Sequence, residues 1–112
     1  EKNARDKKTI QTLEIYNSIL RMDGENLIVT HIGGGNNEFN IEFYQEYIRP
    51  SLYQNFHMIH ADVARTVRSI DYIIAECNYR EEINTEEHNL LCGDYFRLID
   101  EILNHLDTYR KK

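Results

Sequence analysis

Two histidines three residues apart, His57 and His60, are the first side chains whose spacing could do chemistry. On a helix, positions three apart share a face, and neutral imidazole is a common ligand for zinc or iron. The pair is the candidate metal or small-ligand site of a sensor bundle. Glu101 and His105, four apart, form a second helical pair. A di-iron bundle, however, needs Glu-x-x-His from each of two helices, and the sequence has no such set. A hydrogen-bonded histidine at the core margin is the alternative role for both His57 and His60, which flank Phe56 and Ile59.

Other chemistry-bearing motifs are incomplete. Gly33-Gly34-Gly35 follows a β-branched stretch, but Asn36-Asn37-Glu38 supplies none of the Gly-Lys-Ser/Thr chemistry that holds phosphate and Mg²⁺. The expectation here is a flexible hinge. Cys77 and Cys92 are offset by about 7.5 Å along an antiparallel helix pair, so free thiols are expected rather than a disulfide. No Gly-x-Ser-x-Gly elbow occurs. The sequence therefore predicts a non-enzymatic protein without a cofactor.

Binding chemistry is better represented. Eight Tyr and four Phe stand against no Trp, and tyrosine suits contact surfaces because it offers large area with a polar tip. Glu38, Glu42 and Glu46 recur at i, i+4 and i+8, which puts three carboxylates on one helix face. With Tyr44, Tyr47 and Tyr53 they make the expected partner-binding surface.

The 112 residues carry a net charge of −6, and residues 9–108 alone carry −11 between two basic ends. Nucleic-acid binding depends on basic side chains displacing counterions, so the acidic body excludes that partner. An acidic mimic of nucleic acid is a further alternative. Apolar runs such as Leu27-Ile28-Val29 are too short to span a bilayer. A cytoplasmic location is expected, with the basic ends as solvated tails or, alternatively, as junctions to a membrane-attached parent protein. At this length one domain is expected. Because the first residue is Glu, residues 1–112 read as a helical domain excised from a larger protein.

The elements that must position these residues are helices. Residues 4–22 place Ile10, Leu13, Tyr16 or Asn17, and Leu20 on one face, ending at a Gly24 cap. Leu27 to Ile32 is β-branched and reads as a short extended segment. It is either a connector across helices or a dimer edge completed by a second subunit. Residues 38–49 read as a second helix, and Pro50 kinks it. The strongest pattern then follows: Leu52, Phe56, Ile59, Val63, Val67, Ile70, Ile74 and Cys77 are spaced 4, 3, 4, 4, 3, 4 and 3. That rhythm predicts one helix of about 27 residues. Asn84 and Glu87 predict a capping box, and Leu91, Tyr95, Leu98, Ile102 and Leu106 the seam of the last helix. Together these give an all-α, antiparallel four-helix bundle with a long third helix.

Two stretches, Leu13-Glu14-Ile15-Tyr16-Asn17-Ser18-Ile19-Leu20 and Gly93-Asp94-Tyr95-Phe96-Arg97-Leu98-Ile99, resemble segments of phage abortive-infection proteins. That resemblance implies a bacterial phage-defence or sensor protein, with membrane segments before a helical cytosolic part and no catalytic residue to carry over. The combined expectation is a helical interaction or regulatory module that binds a protein partner or itself.

Overall fold

The computed structural model describes residues 2–111, with side chains from Lys7 onward; the basic ends read from the sequence therefore lie partly outside the described residues. The chain is mostly helical with one small sheet: α1 (Lys2–Glu25), β1 (Val29–Gly33), β2 (Asn36–Phe39), α2 (Ile41–Phe43), a π-turn (Tyr44–Ile48), α3 (Arg49–Tyr53), a 3-10 turn (Phe56–Met58), α4 (Ala61–Arg80) and α5 (Thr85–Arg110).

The α4–α5 pair matches its sequence pattern most closely. Val63, Val67, Ile70, Ile74 and Cys77 of α4 are buried, as are Leu91, Tyr95, Leu98, Ile102 and Leu106 of α5. Glu81 closes α4 in the left-handed conformation, and the Asn84–Glu87 capping box opens α5. Along one flank the two helices are joined by polar pairs. Arg80 meets Glu87, Ser69 Oγ donates to Asp94 at 2.6 Å, Thr66 Oγ1 donates to Glu101 at 2.7 Å, and Asp62 meets His105 Nε2 at 2.8 Å. The α5 number rises as the α4 number falls, so the helices run antiparallel.

α1 runs on past Gly24 to Glu25, and Gly24 does not take the left-handed cap conformation. Its inward residues are Thr12, Tyr16 and Ile19, whereas Ile10 is exposed. Tyr95 Oη donates to Asp23 at 2.6 Å, and Tyr16 packs on His105, so α1 also opposes α5.

Two regions depart from expectation, the hairpin and the long rod. The extended segment has its partner within the chain: β1 pairs antiparallel with β2, with Val29 opposite Phe39 and Thr30 opposite Glu38. The triple glycine is the turn of this hairpin, not a loose hinge. Gly33, Gly34 and Gly35 all have positive φ, at 94°, 61° and 76°, a region other residues enter at a cost. Residues 38 and 39, expected at the start of a helix, belong to the strand. Phe39 is buried against Tyr44 and Tyr95, with ring centroids 5.6 Å apart in each case.

The second correction concerns the long rod. The helix continues through Pro50 and breaks instead between Gln54 and His60. Proline lacks an N–H and its ring crowds the carbonyl four residues back; the chain meets this with the π-turn immediately before it, where the Arg49 N–H reaches the Tyr44 carbonyl. The break at 54–60 is held from outside. Thr12 Oγ1 donates to the Met58 carbonyl at 2.8 Å, and the His60 N–H donates to Tyr16 Oη at 2.9 Å. These bonds from α1 satisfy backbone groups that a continuous helix would pair internally. Ile59 stays buried and Phe56 half-buried, so the apolar rhythm survives while the helix does not.

Candidate functional site

The surface expected to bind a partner is assembled from β2, α2 and the π-turn. Asn40 caps α2 by accepting the Phe43 N–H at 3.1 Å. Capping turns the chain sharply out of the strand, and this separates Glu38 on β2 from Glu42 on α2. Both line one groove of about 400 Å³, together with Leu27, Thr30, Ile41 and His88. Leu27 is 70% exposed. Glu38, Glu42 and Glu46 are exposed, and none joins an ion pair among the described residues. The three carboxylates therefore do not form the single helical row that their spacing predicts, but two of them converge on the groove.

The tyrosines divide. Tyr47 is 50% exposed and packs on Phe43 with centroids 4.8 Å apart. Tyr44 is fully buried and is withdrawn from the contact surface; the π-turn points it inward with Ile48. Its hydroxyl has no hydrogen-bond partner among the described residues, and burial pushes its pKa up. Tyr53 is half-buried and occupied within the fold. It stacks on Phe56 at 4.5 Å, lies under the Arg49 guanidinium at 4.4 Å and donates to Asp71. Arg49 binds the same carboxylate at 2.9 Å.

The structure also gathers a cluster that sequence spacing did not reveal. His60 comes from the bend before α4, His105 from α5, Asp62 from α4 and Tyr16 from α1. The two imidazoles stack with centroids 3.6 Å apart. Tyr16 Oη lies 2.7 Å from His60 Nδ1. Tyr16 Oη also accepts the His60 backbone N–H, so one hydroxyl engages both the ring and the main chain of His60. Burial, reinforced by His105 and opposed by Asp62, lowers the His60 pKa. Burial alone would raise Asp62; hydrogen bonds with His105 and the Val63 N–H outweigh it and hold the carboxyl low. Tyr16 is pushed up to about 12, chiefly by burial.

His57 and His60 both border a cavity of about 230 Å³ with Lys8, Thr9 and Met58. They lie on the break, not on one helical face. One ring nitrogen of His60 is committed to Tyr16, and the described residues contain no group of three or more His, Cys, Asp or Glu placed to hold a metal ion. Cys77 and Cys92 are free and buried; burial raises the Cys92 thiol, which suppresses its reactive thiolate. No described helix is long and apolar enough to cross a membrane.

In comparisons with known proteins, the chain matches no family model, no curated protein and no solved structure.

Proposed function

We propose that the chain is a non-enzymatic helical interaction module that engages a basic protein partner through the groove between the hairpin and α2. The observation that carries this reading is the convergence of Glu38 and Glu42, both exposed and without an internal cation among the described residues, beside the exposed Leu27. Interfaces combine an apolar anchor with a charged rim, and this groove offers both. In this reading the α2–α3 segment serves as the fourth member of an antiparallel bundle. Its π-turn is consistent with a contact role, because such turns often occur at functional positions.

The test uses a panel of fluorescent peptides that pair Lys or Arg with an aliphatic residue. Fluorescence anisotropy reads their binding to the wild-type chain and to the Glu38→Lys/Glu42→Lys variant, at low and high salt. Binding that weakens with salt and is lost on charge reversal supports the assignment. Binding that ignores both, or no binding at all, overturns it. The same panel tests the acidic-mimic alternative: preference for polybasic peptides without an apolar residue would favour mimicry.

A further inference from the structure

The two outer edges of the hairpin are treated differently. On β2, the N–H groups of Asn37 and Phe39 point away from β1 and are taken by α5: Asn89 Oδ1 accepts the first at 2.8 Å and His88 Nδ1 the second at 3.1 Å. That edge is closed. On β1, the Asn40 N–H to Ile28 carbonyl bond of 2.8 Å fixes the hydrogen-bonding phase of the ladder. Thr30 therefore faces Glu38 as a bonded pair, and Val29 and His31 direct their N–H and C=O groups outward. Four of the five β1 residues are exposed, and Ile32 and Leu27 at its ends are 54% and 70% exposed.

An open edge is a template for another strand, and proteins usually blunt it with lysine, proline or an inward charge. β1 has none of these; its one irregularity, between His31 and Gly33, lies at the turn end. Residues 26–37 contain no Asp, Glu, Lys or Arg. For a chain with net charge −6, this is a place where two copies can meet without placing like charges in contact.

We infer that β1 pairs antiparallel with β1 of a second copy of this chain, about a two-fold axis beside Thr30. Val29 of each copy faces His31 of the other, and four main-chain hydrogen bonds form a four-stranded sheet in the order β2-β1-β1-β2. The two Glu38 side chains are then three strand spacings apart, about 14 Å, beyond the screening length at physiological salt. One strand edge with Leu27 and Ile32 is a small interface, so the association is weak. The inference rests on the reading of the chain as an interaction module and names a second face and its occupant.

Sedimentation of the chain over a concentration series, paired with amide hydrogen exchange, tests it. A monomer–dimer equilibrium is expected, with Val29 and His31 amides gaining protection as concentration rises. His31→Pro removes two of the four intermolecular bonds and spares the β1–β2 main-chain bonds, at the loss of the His31–Asn37 side-chain bond, and should weaken dimerisation by at least about tenfold. Val29→Pro is the second variant; it removes the other two intermolecular bonds, again from an N–H that points away from β2, and should have the same effect, with the helical circular dichroism unchanged. A chain that stays monomeric at every concentration overturns the inference, as does a dimer in which Val29 and His31 remain unprotected. Leu27 borders both this edge and the Glu38/Glu42 groove, so peptide binding is read on dilute, monomeric chain, where its loss bears on the groove and not on β1 pairing.

Discussion

His60 and His105 lie face to face, their rings 3.6 Å apart at the centroids and 10° from parallel. One ring belongs to the bend before α4 and the other to α5, so the stack ties together the elements that α1 also grips through Tyr16. The groups facing it are Tyr16 from α1 and Asp62 from α4, with Glu101 of α5 near enough to act on Tyr16.

This arrangement has a pH signature. The His60 pKa is lower in the folded chain than its ordinary 6.5. The folded state therefore disfavours the protonated form. Stability from this group is full above pH 6.5 and is lost as pH falls toward the folded pKa. Asp62, also lowered, adds a separate loss at more acidic pH, below its ordinary range. Thermal melts from pH 7.5 to 5 should show a falling midpoint, and His60→Phe, which keeps a ring but cannot titrate, should flatten the fall. A wild-type midpoint independent of pH in this window would contradict the stack as described.

Two buried tyrosines should respond oppositely to loss of their hydroxyl. Tyr95 Oη donates to Asp23, and Tyr95→Phe should cost about 1.5–3 kcal/mol, as for bonds to charged groups. Tyr44 Oη is buried without a partner, so Tyr44→Phe removes a desolvated polar atom and should be neutral or stabilising by about 1 kcal/mol. Urea unfolding of both variants checks the sign.

The hairpin turn can be probed at Gly34, where φ is 61°. Open space surrounds the position, with Asn36 Nδ2 at 3.7 Å from an added methyl. The penalty for Gly34→Ala is therefore conformational rather than steric, about 1–2 kcal/mol. Gly34→Asn should cost less, since asparagine tolerates this region. Chemical denaturation reads both.

Asp71 fastens α3 to α4 through Arg49 and Tyr53. Asp71→Ala strips both partners at once and should destabilise the chain by about 2 kcal/mol. Tyr53 should then become more accessible, which iodide quenching of tyrosine fluorescence would register.

The sequence was most informative where packing and local chemistry agree. The α5 seam and the Asn84–Glu87 box were legible because one pattern sets both the buried face and the helix start. The hairpin was only half legible. Val29 to Ile32 has the β-branched character of a strand, but Asn36, Asn37 and Glu38 do not, and they are held in place by Asn89, His88 and Thr30. The break at 54–60 left no trace in the apolar rhythm, because Phe56 and Ile59 face the core in either conformation. The spacing of Glu38 and Glu42 implied one helix, whereas a strand and a capped turn bring them to one groove. The His60–His105 stack joins residues 45 positions apart and depends entirely on tertiary placement.

The bend between Gln54 and His60 has a consequence for how the chain behaves when α1 is absent. Thr12 and Tyr16 are the latch that keeps the bend open, while the residues on either side retain an uninterrupted helical stripe from Leu52 to Cys77. Without α1, the Met58 carbonyl and the His60 N–H would lose the side-chain partners that satisfy them in the bend.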